Sequence, residues 1–498
     1  LVGSEMCIRD SFNSHIFMLL FLPLLLAGWY FLNWKKKFQL AQGYLIGMSL
    51  WFYAYANLQY LWLLLFSCLI GWLLSCLPEK IFSEKGKKVL TGVGCVFHLG
   101  LLGYFKYSNF FLENLNTVFH TDFPMLQILL PVGISFYTFQ QLAYLIDRCR
   151  GDAPRDSFFD YLTFMVYFPQ LLQGPILLRS EFMGQLKEPE RRRFHAERFS
   201  EGIQFFVFGL AKKVLLADTL AKAVNYGYSN VSMLDSISAL LLAVGYLTEL
   251  YFDFSGYCDM AVGLGKMIGL EVAENFDAPF HSASVKEFWR RWHMTLGRFF
   301  TRYVYIPLGG NRRGKMRTLC NVMIVMLLSG LWHGAAWTFV LWGFLHGVGM
   351  IWDNLEHPHL PKKWMRQAAT FAYVCMTFVF FRAESIAQGI DVLKSIVSLK
   401  WNGFVFQMAS ALDMTECYMI TKALSMKLPG LLSWFWLGIF VVLIAICVRV
   451  LFGEKVSGVV ALQRQKGYGR LYPVLLAVLF TWSIISMTGV SEYLYFSF

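Results

Sequence analysis

The residues best suited to do chemistry lie in one apolar stretch. From Thr318 to Trp352 the chain carries no Asp, Glu, Lys or Arg across 35 residues, yet it holds His333 and His346. Imidazole exchanges a proton near neutral pH. An ionisable side chain inside an apolar run is costly to bury, which makes it a functional candidate. Gly330 and Gly334 flank His333 and let neighbouring backbone come close. The plain alternative is a histidine bonded to a neighbouring helix. His346 follows 13 residues later and, on one straight helix, would point to roughly the opposite side.

A second set of groups precedes this stretch. Lys286 to Arg317 holds nine Lys/Arg and one acid, Glu287. Its first half interleaves Arg290, Arg291 and Arg298 with Trp289, Trp292 and three phenylalanines around His293. That pattern suits an amphipathic helix at or dipping into a membrane interface. Its second half, with Arg312 and Arg313, is a turn-rich basic loop. Arginine binds phosphate well, so these five arginines are candidate phosphate ligands. The competing explanation is that cations mark the cytoplasmic side of a membrane protein. His98, His195 and His281 are expected to be structural or exposed.

The elements that must position these groups are helices in a bilayer. The chain of 498 residues is 57% hydrophobic and 15% charged, with a mean hydropathy of +0.49. Three or so soluble domains would fit that length, but not that composition. Long apolar runs, not alternating residues, exclude a β-barrel and imply an all-α polytopic membrane protein that meets membrane lipids. The net charge of +12 is then mainly a topology signal. Ten cysteines are scattered singly, so neither a zinc site nor a disulfide framework is indicated. No phosphate loop, dinucleotide fingerprint or nucleic-acid module is present.

Residues 1–11 read as a non-native leader, and 12–498 as one membrane domain. His15 to Leu32 is the first span, followed by Lys35, Lys36 and Lys37. Further spans are expected over 43–56, 59–77, 89–107, 127–146, 202–217, 237–265, a segment ending near Phe381, 433–452 and 471–489. Lys80, Lys85, Lys87 and Lys88 mark a basic loop, and Arg179 to Arg198 reads as a solvated one. About 20 apolar residues cross a bilayer, so Thr318–Trp352 must be two helices or one broken helix. Residues 384–430 are mixed and partly extramembrane, which brings the total to roughly 10–13 helical elements. Pro169, Gly174 and Pro175 break an apolar run, and the freed backbone must be satisfied inside protein or around a cavity. Asp253 and Asp259, at i and i+6, share no helix face and read as separate groups, not a catalytic pair.

Six ordered motifs together resemble one family. They are Phe168-Pro-Gln-Leu-Leu-Gln-Gly-Pro-Ile176, Phe252-Asp-Phe-Ser-Gly-Tyr-Cys-Asp259 and Asn275-Phe-Asp-Ala-Pro-Phe280, then Glu287-Phe-Trp-Arg-Arg-Trp-His293, Tyr305-Ile-Pro-Leu-Gly-Gly-Asn311 and Gly330-Leu-Trp-His-Gly334. The ending Tyr493-Leu-Tyr-Phe-Ser-Phe498 fits too. The chain resembles the membrane-bound O-acyltransferases, specifically the bacterial alginate O-acetylation branch. One departure is Gln173, where a smaller residue such as Ala is expected. The resemblance implies that His333 is the catalytic histidine and His293 the second active-site histidine. It implies tilted helices around a thin central funnel, with the donor arriving from the cytosol and the acceptor from outside.

Acyl transfer from a thioester to a hydroxyl needs a base, and a neutral imidazole in apolar surroundings suits that task. His333 fits it. His293 could bind the carbonyl oxygen, orient the acceptor or complete a relay. With no nucleophile elbow in view, direct transfer is favoured over an acyl-serine, and an acyl-histidine stays open. The expected donor is acetyl-CoA, its phosphates drawn to the basic segment, with no permanently bound cofactor. The expected setting is the bacterial inner membrane. A periplasmic acetyltransferase of the serine-esterase-like type would pass acetyl to an exported, alginate-like polysaccharide. D-alanyl transfer from a carrier protein, or a passive acyl conduit, are the rivals. The two imidazoles should lie in one cavity, within roughly 10 Å of each other, close enough to share one acyl group.

The charge bias makes a topological prediction. Lys35–Lys37 and Lys286–Arg317 should both face the cytosol. A cysteine introduced by Asn311→Cys should stay unlabelled by a membrane-impermeant thiol reagent in intact cells and react once the membrane is opened. Strong labelling from outside would reverse the orientation.

Overall fold

The computed structural model describes residues 12–76, 84–355, 361–467 and 469–487. The leader at 1–11, Lys80 and the motif Tyr493–Phe498 lie outside the described residues. Among the described residues, the regular structure is helical and no β-strand occurs. Six helical runs are long and apolar enough to cross a membrane: Phe17–Trp34, Phe38–Cys76, Glu84–Phe119, Ser236–Ile268, Lys315–His333 and Pro429–Leu451.

Prolines, glycines and π turns cut the chain into more and shorter pieces than the spans alone suggest. The first are α1 (Leu22–Trp34), α2 (Phe38–Asn57), α3 (Leu61–Cys76) and α4 (Glu84–Leu102). Lys85, Lys87 and Lys88 are not in a loop. They open α4, where Lys87 pairs with Glu84 at 2.7 Å. A π-helical turn, Gly103–Tyr107, leads into α5 (Ser108–Phe119), and α6 covers Ile134–Arg150. The span expected over 127–146 therefore starts late. Pro131 has no amide hydrogen to donate, and Gly133 lies at φ +76°. The proline-containing run breaks as expected into α7 (Phe158–Met165) and α8 (Phe168–Leu171), with non-helical chain around Gly174.

Arg179–Arg198 is not a wholly solvated loop. It begins as α9 (Arg179–Leu186). Arg179 reaches the buried Asp156 carboxylate at 2.8 Å, and Arg192 is 5% exposed, donating to the carbonyls of Leu186 and Phe38. These cations hold helices together by satisfying buried oxygens.

Then come α10 (Ala196–Ala211), a π turn at Lys212–Ala217, α11 (Asp218–Ser229) and the long α12 (Ser236–Ile268). Helix α12 runs through both large apolar clusters: Leu242, Leu250 and Phe254 sit in one, Tyr257, Met260 and Leu264 in the other. Two glycine pairs let α10 lie backbone to backbone on it. A Cβ on Gly209 would come within 2.5 Å of the Gly256 carbonyl oxygen, and one on Gly202 within 2.7 Å of the Gly263 oxygen. Small residues at such crossings are how membrane helices gain packing without a hydrophobic driving force. The two aspartates on α12 are separate, as their spacing implies. Asp259 pairs with Lys212 at 2.7 Å and Asp253 with Lys213 at 2.6 Å, each aspartate meeting its own lysine on the π turn.

The remaining helices frame the candidate site. They are α13 (Val285–Arg291), α14 (Met294–Phe300), α15 (Lys315–His333), α16 (Trp337–Asn354) and α17 (Lys363–Arg382). Short α18 (Ile386–Val397), α19 (Phe404–Ser410) and α20 (Tyr418–Lys427) occupy the mixed region. The chain continues through α21 (Pro429–Leu451), α22 (Val456–Lys466) and α23 (Leu471–Ser486). The uncharged stretch is two helices, α15 and α16, folded back on each other. They touch at Gly330 and Gly343: a Cβ on Gly330 would lie 2.3 Å from the Phe339 carbonyl oxygen and 3.3 Å from the Gly343 Cα.

The obstructing atoms at Gly330 are backbone and cannot rotate away. Gly330→Ala should therefore lower the melting temperature of the detergent-purified protein, by overpacking worth about 1–3 kcal/mol. Gly47→Ala, on α2 with nothing within 4 Å, should leave it unchanged or raised. Equal melting temperatures for both variants would contradict the close-crossing account.

Candidate active site

Two local features bring the imidazoles together. Helix α15 ends on His333 because Gly334 is extended, at φ −158° and ψ 152°, and α16 restarts at Trp337. His293 lies between α13 and α14 in a left-handed conformation, φ +46°, uncommon for a residue other than glycine. Asn275 holds that turn closed. Its carbonyl accepts the Met294 amide at 3.0 Å, and its side-chain oxygen meets the Thr295 amide at 3.1 Å and hydroxyl at 3.0 Å. The ring centroids of His293 and His333 are 6.5 Å apart, and the residues are 1% and 4% exposed. The expected proximity is present.

The same contacts determine which nitrogen of His293 carries the proton. His293 Nδ1 lies 3.1 Å from the Asn275 side-chain oxygen. The Thr295 backbone N–H can only donate, so the atom it meets is the amide oxygen. Nδ1–H therefore donates, and Nε2 bears the lone pair. Nε2 is buried with no hydrogen-bond partner among the described residues. Burial pushes the His293 pKa down to about 3, so the ring is neutral at pH 7.

Aromatic rings wall the pair. Trp332 lies 6.1 Å from His293 and 4.9 Å from His333, between centroids. Trp342 and Phe381 pack edge-on to His333 at 5.2 and 5.1 Å, and Phe254 to His293 at 4.7 Å. A cavity of about 440 Å³ lies between α13, α14, α15 and α16. Lys286, Arg290, Thr318 and Asn354 line it, as do Leu296, Met326 and Ser329. It also touches Met294, the neighbour of His293, and Ser329 stands about one helical turn before His333. Neither imidazole is among its lining residues, so this is not the shared cavity expected for the pair.

The five arginines separate. Arg290 and Arg298 line this cavity, joined by Lys286. Arg298 is already engaged by Glu181 at 3.0 Å and by the Ile176 carbonyl at 3.0 Å. Arg291 turns to Glu287 and Asp277. Arg312 and Arg313 are exposed on the turn before α15, outside the cavity lining.

His346 is held on both sides. It accepts from Trp289 Nε1 at 3.2 Å and its other nitrogen meets the Thr377 hydroxyl at 2.9 Å, so both ring nitrogens are used. It stands behind Trp342, which separates it from His333. His98 is buried beside Ser67, His281 is half-buried and His195 is exposed.

Two groups that contact the end of α15 escaped the sequence reading. Lys106 donates to the carbonyls of Trp332 and His333 at 2.7 and 2.9 Å, and Tyr107 to that of Leu331 at 2.6 Å. A lone lysine inside the run Gly100–Phe111 was a usable signal. Asn275 stood in a recognised motif, but its grip on His293 depends on the fold.

The sequence profile of the membrane-bound O-acyltransferase family matches residues 151–390. A peptidoglycan O-acetyltransferase of Helicobacter pylori is 35% identical, the match covering 78% of this chain and 80% of that protein. A "probable alginate O-acetylase" of Azotobacter vinelandii is 39% identical over 75% of each chain. A teichoic acid D-alanyltransferase of Bacillus subtilis is 28% identical over 51% of this chain and 69% of that protein. On a framework of apolar helices with paired histidines at its centre, these matches identify the chain as a multi-pass membrane O-acyltransferase belonging to the membrane-bound O-acyltransferase family.

Proposed function

We propose that this enzyme takes an acetyl group from cytosolic acetyl-CoA and moves it across the bacterial inner membrane for O-acetylation of an exported polysaccharide. A periplasmic acetyltransferase is the partner that completes delivery. The observation that carries the reading is the buried pair His293 and His333, 6.5 Å apart, beside a cavity lined by Lys286 and Arg290. Lysine and arginine at that cavity suit a phosphate-bearing donor. The O-acetylating relatives match more of this chain, at higher identity, than the D-alanyl relatives do, which favours acetyl over D-alanyl.

His333 is proposed as the base. Facing nitrogens of two rings at this separation would be about 4 Å apart, too far for a direct bond and suited to one bridging oxygen. The acceptor's hydroxyl proton passes to His333 while its oxygen attacks the thioester carbonyl. The tetrahedral species collapses, the C–S bond breaks, and the thiolate takes the proton from the imidazolium. His293 presents only a lone pair at Nε2, so while neutral it cannot donate to an oxyanion. Its part is to accept a hydrogen bond, through one water, from the imidazolium formed at His333. Of the three roles open to His293, this favours the relay.

His333→Ala should abolish acetylation of the polymer, leaving under about 1% of the wild-type rate, since a positioned base contributes 10²–10⁴-fold. The variant should insert at normal levels, checked by immunoblot of the membrane fraction. Wild-type acetyl ester on the polymer would overturn the assignment. Partial acetyl delivery with His333→Gln would favour the passive conduit.

A further inference from the structure

We infer that Lys106 is a positioning residue for His333, acting through the carboxyl end of α15. The inference rests on the reading of His333 as the base. Lys106 and Tyr107 reach across more than 220 residues of sequence to three successive carbonyls, those of Leu331, Trp332 and His333. A helix end leaves its last carbonyls without intrahelical partners. Here that end lies inside an apolar bundle, and His333 is 4% exposed. A lysine at a helix carboxyl end also meets the negative pole of the helix dipole. No ion pair to Lys106 occurs among the described residues, and its Nζ donates to the Trp332 and His333 carbonyls.

The consequence is geometric. His333 is the last residue of α15, so its ring is only as well placed as that final turn. Loss of the clamp lets the turn fray and changes the separation from His293. Lys106 does not touch substrate in this account; it fixes the group that does.

Lys106→Met keeps the aliphatic stem and removes the ammonium. Its kcat for acetyl transfer should fall about 10²-fold, the scale of a 1 Å misplacement, with KM changed by less than about twofold. Lys106→Arg, which keeps cationic donors, should recover most of the rate. In a His333→Ala background, Lys106→Met should cause no further loss. Wild-type turnover by Lys106→Met would overturn the inference, as would an equal defect in Lys106→Arg. If Lys106→Met fails to insert, Tyr107→Phe decides: a several-fold fall in kcat at unchanged KM supports the clamp, and a wild-type rate refutes it. Activity in His333→Ala alone would sink the reading of His333 itself. An inactive His333→Ala beside a fully active Lys106→Met would sink only the role of Lys106.

Discussion

The helix that carries His333 stops inside the bundle, where side-chain donors meet its last carbonyls, and the candidate site is built around that stop. An unsatisfied buried carbonyl costs about 1–3 kcal/mol. Lys106 and Tyr107 supply donors to Leu331, Trp332 and His333, and the Gly334 amide closes back onto Gly330 at 3.3 Å. The stop also lets α16 turn back on α15, an approach that glycine at 330 and 343 alone permits. One break thus gives His333 its depth, aromatic walls from Trp342, and a fixed relation to His293.

The second imidazole is held by different means. His293 stands on a left-handed turn between two short helices, closed by Asn275. Strained non-glycine backbone of this kind persists where surrounding contacts over-determine it, and it gathers at functional sites. Asn275 spends its side-chain oxygen on Thr295 and Nδ1 of His293, which leaves Nε2 as an acceptor. The cations nearby divide by task. Arg291 and Arg298 are tied to acids, whereas Lys286 and Arg290 remain at the cavity. Charge that looked uniform along the chain is tied to acids at Arg291 and Arg298 and to the Asn354 side-chain oxygen at Lys286.

Much of this was legible in the sequence. The uncharged stretch was too long for one helix, and it is two. The proline motif predicted a broken helix, which is present at Phe168–Leu171. The spacing of Asp253 and Asp259 implied separate roles, and each meets its own lysine. What was not legible depends on contacts distant in sequence. Nothing local pairs Lys106 with residues 332 and 333, Arg179 with Asp156, or Asn275 with His293. Nor could a helical wheel place His346, because the break at Gly334 discards the single-helix geometry on which the wheel rests.

The central claim is that the two imidazoles work as one unit across a bridging oxygen. The direct measurement is a double-mutant cycle on acetyl transfer, with His293→Ala, His333→Ala and both together, each normalised to the amount of inserted protein. Groups that act as a unit give strongly non-additive losses. The account predicts that the double variant is no slower than the slower single. Losses that multiply would mean two independent functions, and the relay between His293 and His333 would be wrong.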